Sequence, residues 1–234
     1  MKQPKEEVPL LTPSEVDSAS DMGSAQEILK WVRDFLAQPH ADLGRSGPVC
    51  PFVPHALKQG TLWLGVIEAD PNNPIEMEDL VSRYRTVFLK LEPQQGSEAI
   101  FKTIILVFPR VSSDQAPSLI DGVQKKLKPD FVDDGLMLGQ FHELNDEPGL
   151  HNKEFRPLRS PIPLLAIRFM VKQDLPFLTR ETDSPQLRLR FIKGYLKASR
   201  QQQGTAPIDK QTLMLIEALE TIVAELEKTL EDKH

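Results

Sequence analysis

The sequence predicts an α+β protein, a mostly antiparallel sheet with helices packed on one face, followed by a C-terminal amphipathic helix. Three observations carry that expectation. Residues 61–68, 102–110, 136–143 and 164–171 read as short strands, 102–110 as a β-branched run and 136–143 by its alternation. Residues 75–91, 116–127 and 186–200 repeat their apolar positions at helical spacing. The resulting order β, α, β, α, β, β, α contains no repeated unit and no strict alternation, as in a ferredoxin-like arrangement with additions. A chain of 234 residues, 40% of them apolar, is long enough to bury a sizeable core.

Taken in order, residues 1–23 are rich in Pro, Ser, Glu and Thr and lack an apolar period, so they read as a disordered acidic tail. Ser24 and Glu27 have capping-box spacing and open the run Ile28, Trp31, Val32, Phe35, Leu36, which should stop at Pro39. Residues 43–54 contain Pro48, Pro51 and Pro54 with Gly44 and Gly47, which excludes helix interior and central strand. A short helical turn at 55–59 should end at Gly60, and the helix at 116–127 should end before Pro129. Residues 24–200 are thus expected to form a single domain. In 201–234, a linker precedes a helix that sets Leu213, Ile216, Leu219, Ile222, Val223, Leu226 and Leu230 on one stripe. That stripe either folds back on the body or pairs with a second copy, making a homodimer through 208–230.

Charge and cysteine content narrow the classes. Cys50 is the single cysteine, which excludes an internal disulfide and a cysteine-only zinc site. The net charge of −6 sits at the ends: residues 1–24 carry two Lys against five acids, and residues 205–234 carry three Lys against seven. The nearly neutral body has no basic patch, so nucleic acid is not an expected partner. No apolar run approaches the ~20 residues that cross a bilayer, and the amino terminus has no apolar signal core. A cytoplasmic protein that does not engage a membrane, acting on a small-molecule substrate, is expected.

Two irregular stretches hold the chemistry-bearing residues. In the first, Cys50 between Pro48 and Pro51 reads either as a small buried hydrophobe or as a thiolate, acting as nucleophile or as axial ligand to haem iron. His55, His142 and His151 are the bases within the candidate set, and no signature of a catalytic-cysteine family surrounds Cys50. The second stretch, 142–163, is long for a connection in a compact domain. Its His142, Glu143, Asp146, Glu147 and His151 are ligand types for zinc or iron, although Asp146 stands where a His-Glu-x-x-His motif needs its second histidine. A solvated acidic turn is the alternative. Arg156 and Arg159 are placed either to clamp carboxylates, haem propionates among them, or to pair with Glu143, Asp146 or Glu147.

The run Pro48-Val-Cys50-Pro-Phe52-Val-Pro-His-Ala56-Leu57-Lys-Gln-Gly60-Thr-Leu62, followed by a strand, resembles the YqcI/YcgG family. The shared pattern is a Pro/Cys/Phe segment, an Ala-Leu pair and a Gly-x-Leu turn, continuing through Arg156-Pro-Leu-Arg159-Ser-Pro-Ile-Pro163. Val49 rather than Pro precedes the cysteine, which suggests a sister family. The resemblance implies a haem-dependent oxidoreductase that N-hydroxylates a small amine or guanidine in specialised metabolism. Cys50 or His151 would be the axial ligand, His55 would line the cofactor, and Arg156 and Arg159 would receive propionates. Two other expectations stand beside it: a non-haem metal enzyme using His142, Glu143 and His151, and a non-enzymatic scaffold with 208–230 as its interaction surface.

Overall fold

The computed structural model of the protein describes residues 8–203 and 210–231. Residues 1–7 of the expected tail, 204–209 of the expected linker and 232–234 at the end of the terminal segment lie outside them. The described residues fall into two compact units, one drawn from Met1–Leu127 and Leu138–Arg168, the other from Lys128–Met137 and Phe169–His234.

In the first unit the helices are α1 (Pro13–Ser18), α2 (Gly23–Trp31), α3 (Val53–Gln59) and α4 (Pro74–Lys90), with α5 (Ala116–Asp133) running on into the second. The strands are β1 (Leu62–Val66), β2 (Thr103–Val107), β3 (Leu136–Phe141) and β4 (Leu164–Phe169), in sheet order β1-β2-β4-β3. The α+β class holds, but the sheet is mixed. β1 and β2 are parallel, Leu62 opposite Thr103 and Val66 opposite Val107, because the long α4 crossover returns the chain to the same end. β2 and β4 are antiparallel, Thr103 opposite Arg168. The Met170 amide donates to the Gly135 carbonyl at 2.8 Å, so the end of β4 meets the start of β3 and that pair is antiparallel too. This order is not the ferredoxin-like one.

Helices also cover both faces rather than one. Ile105 and Val107 of β2 belong to a cluster with Ile28, Leu29, Val32, Leu62, Leu64 and Leu164. Ile104 and Leu106 are equally buried on the opposite face. There a Cβ on Gly65 would lie near both Leu106 and the Tyr84 hydroxyl of α4. A strand apolar on both sides needs a layer against each.

The acidic tail is shorter than the sequence suggests. Leu11 bridges to Leu64, and α1 is capped by a reciprocal Thr12–Glu15 capping box with Val16 fully buried. At α2 the expected Ser24 cap is not made: Met22 is the N-cap, and the helix ends in a π-helical turn at Val32–Leu36. The short helix is found as α3, closed by Gly60 at φ 67, a left-handed position that favours glycine. α5 continues through Pro129 to Asp133 instead of stopping before it. Burial of Phe131 and Val132 in the turn that follows outweighs the lost amide.

The second unit contains a 3₁₀ segment Lys172–Phe177, α6 (Pro185–Gln203) and α7 (Lys210–Glu231). Its core joins Val132, Leu178, Phe191, Ile192, Tyr195 and Leu196 to Ile216, Leu219 and Leu226 of α7. Lys193 pairs with Glu227 at 2.6 Å, and Arg200 pairs with Glu220, tying α6 to α7. The stripe on α7 is therefore divided: Ile216, Leu219 and Leu226 are buried within the unit, while Leu213, Met214 and Ile222 are exposed.

Lys102 fixes the end of α4. Its ammonium is wholly buried and donates to the carbonyls of Phe88 at 2.8 Å and Leu91 at 2.7 Å, carbonyls that a helix C-terminus otherwise leaves unpaired. Burial pushes its pKa down to about 8, opposed by nearby Glu92. The folded state thus binds the proton less tightly than the unfolded chain. Stability is expected to rise with pH from about 8 towards 10, by no more than roughly 3 kcal/mol. Urea midpoints measured across that window should climb for the wild type and stay level for Lys102→Met; a climb in the variant would show that another group is responsible.

Candidate functional site

The irregular segment after α2 cannot join the sheet, so its backbone polar groups find local partners. The Val49 amide donates to the Gln38 carbonyl and the Cys50 amide to the Leu36 carbonyl, each at 2.9 Å. This hangs Cys50 on the end of the π-helical turn, immediately before α3. The Cys50 thiol is free and half-buried, packed against the apolar cluster that includes Leu36, Val49 and Val53.

The second irregular stretch is brought against the first. The Asn152 side chain donates to the Asp42 carbonyl at 2.8 Å. Gly44, at φ 76, lies so close to residue 151 that a Cβ there would meet the His151 carbonyl oxygen at 2.9 Å. Phe155 is buried in the same cluster as Leu36 and Val49, with its ring 4.8 Å from His40 and 6.1 Å from Phe35. Trp31 stacks on Phe35 at 5.9 Å and meets Phe141 edge-on at 5.9 Å, extending the aromatic patch. The two segments singled out by the sequence therefore form one surface of the first unit.

The other expected residues are already engaged. His55 of α3 lies with Nε2 2.6 Å from the Glu98 carboxylate and its ring 3.8 Å from Phe101. Phe52 packs on Phe101 at 6.1 Å, and the Arg168 guanidinium stands 5.6 Å over Phe52. His142 is buried, its Nε2 3.0 Å from Asp121, and its Nδ1 has no hydrogen-bond partner among the described residues. Burial pushes the Asp121 carboxyl up, and His142 works against that shift. Glu143 accepts the Ser113 hydroxyl at 2.8 Å. His151 is exposed. Arg159 donates to Asp146 at 2.9 Å and to the Asn145 carbonyl at 3.1 Å, while Arg156 Nε lies 3.5 Å from the same Asp146 carboxylate.

His142, Glu143 and His151 are not brought together: each has a separate neighbourhood. Among the described residues no three His, Cys, Asp or Glu side chains form a group able to hold a metal ion. Tested against haem, the donor set fits in part. The free, half-buried Cys50 offers a sulfur donor of a type that ligates haem iron, with apolar surface beside it. Arg156 and Arg159 share one carboxylate, so a propionate would compete with Asp146 for them.

Sequence reasoning missed His40, Glu98, Phe101 and Asp121. Asp121 left a partial signal, an acid directly after Ile120 in a helix with an apolar period. Glu98 left none, since it lies in a loop without a period.

A model for a domain of unknown function, DUF6875, matches residues 25–207. The chain belongs to the DUF6875 family. No curated protein and no solved structure matches it. The DUF6875 match takes in both irregular stretches, all four strands and α2 to α6 apart from the first residues of α2.

Gly44 tests whether the apposition of the loops is structural. Gly44→Ala places a side chain at positive φ against the His151 carbonyl and is expected to lower stability by about 1–3 kcal/mol. It should also make the 142–163 loop more susceptible to limited proteolysis. Wild-type stability and an unchanged cleavage pattern would mean that the two loops are not held together at this point.

Proposed function

We propose that the chain is a haem-binding oxidoreductase of the cytoplasm, an N-oxygenase acting on a small amine or guanidine substrate. The observation that carries the reading is the meeting of the Cys50 segment with the 142–163 loop on one aromatic, apolar surface. The resemblance of residues 48–62 to the YqcI/YcgG family supports it further. Bound haem would supply activation of oxygen or peroxide for transfer to a substrate nitrogen.

The chain's own residues supply the rest. Cys50 would be the thiolate ligand, its backbone fixed by the hydrogen bond its amide donates to the Leu36 carbonyl and by the following Pro51. Trp31, Phe35, Phe141 and Phe155 provide apolar area from which water is excluded. His55 sets its Nε2 2.6 Å from the Glu98 carboxylate, close to the start of α3. Arg156 and Arg159 bring two positive charges to a single Asp146, leaving an excess that favours an anionic group.

Haem-reconstituted protein should show a Soret band whose position shifts or whose intensity collapses in Cys50→Ala, with His151→Ala close to wild type. No Soret band under any reconstitution overturns the proposal. Stoichiometric zinc or iron without porphyrin would replace it with a non-haem metal centre.

A second reading, a homodimerising scaffold, is favoured by the exposed Leu213, Met214 and Ile222 on α7. Light scattering of the full chain should then give a dimer that Met214→Glu with Ile222→Glu converts to monomer. A wild-type monomer at all concentrations removes this reading.

A further inference from the structure

The second unit contains a cleft of ≈ 200 Å³ that plays no part in the proposed oxidoreductase site, lined by Met170, Val171, Lys172, Tyr195, Ala198, Ser199 and Thr212. Its walls divide by chemistry. Met170, Val171 and Ala198 are buried apolar surface. Lys172, Thr212, Ser199 and Tyr195 bring one ammonium and three hydroxyls to the same space, with Lys172 Nζ 3.3 Å from the Thr212 hydroxyl. Tyr195 is 4% exposed, and burial raises its pKa while its hydrogen bond to Ser199 works against that shift, so its hydroxyl stays protonated at neutral pH and can donate.

We propose that this cleft binds a small monocarboxylate with a short apolar body. The carboxylate would lie beside the Lys172–Thr212 pair and accept from the ammonium, its body against Met170, Val171 and Ala198. A space of this size corresponds to about six or seven water volumes, which suits an acid of six to eight non-hydrogen atoms. Charge sets the class. Lys172 is the cation among the lining residues, and buried Asp174, which accepts the Val171 amide at 2.8 Å, lies near enough to oppose ionisation of Tyr195. Asp174 offsets part of the Lys172 charge, so a dianion such as phosphate is opposed and a singly charged acid is the most that the cleft can match. The apolar walls in turn select against a fully hydrated anion.

The test titrates isotope-labelled full-length protein with isovalerate and follows backbone amide resonances. Saturable shifts are expected at residues 170–172, 195–199 and 212. Lys172→Met, an exposed position that leaves the core intact, should weaken binding about tenfold. Ser199→Leu, which fills the space, should abolish it, with circular dichroism confirming the fold. The proposal is overturned if no resonance shifts saturably, if Lys172→Met binds as the wild type does, or if inorganic phosphate shifts the same resonances as strongly. A haem result of either sign at Cys50 leaves this outcome untouched.

Discussion

Everything in the first unit depends on β2 being apolar on both faces. Ile104 and Leu106 face one layer, Ile105 and Val107 the other, and all four are buried. At about 25 cal/mol per Å² of apolar surface, leaving either face bare would forfeit several kcal/mol, comparable to the whole stability of a domain. Both layers are therefore obligatory. The α4 side is closed by the Lys102 ammonium at the helix end, and the α2 side by the cluster that includes Leu36, Val49 and Phe155. The irregular segments around Cys50 and His151 are held where they are because their apolar residues complete that second layer.

This explains why a stretch with three prolines can be ordered. Pro48, Pro51 and Pro54 remove donors, and the amides that remain at Val49 and Cys50 are satisfied by carbonyls at the end of the π-helical turn. Like any helix end, it leaves its last carbonyls open to capture from outside. π-helical turns are frequent at functional sites, and here one sets the position of the free thiol.

Legibility in the sequence followed the range of the forces involved. The strands and main helices were readable because each depends on local periodicity, and Gly60 was readable as a stop because only local backbone conformation is at stake there. Strand direction was not: the parallel pairing of β1 with β2 is decided by the route of the crossover, which no residue in either strand records. Pro129 misled for a related reason, since its penalty is local while the burial of Phe131 and Val132 that outweighs it is not. At the site, Cys50 and the 142–163 loop stood out by composition. The partners of His55 and His142 did not, because Glu98 and Asp121 lie 43 and 21 residues away in sequence.

The arrangement at Asp146 limits how Arg156 and Arg159 can act. Asp146 is 82% exposed, so its ion pairs with the two guanidiniums are screened and individually weak, of the order of 1 kcal/mol or less. Arg159 keeps its donation to the Asn145 carbonyl when the carboxylate is exchanged, and Arg156 keeps its donation to the Lys153 carbonyl. The guanidiniums are thus oriented by the backbone and only neutralised in part by Asp146. An incoming carboxylate would replace a weak partner at sites whose geometry already exists, which is the condition under which an anion binds without reorganising the protein. Had the pair been buried with Asp146, removing that partner would have left charges uncompensated at several kcal/mol, and the same residues would be structural only.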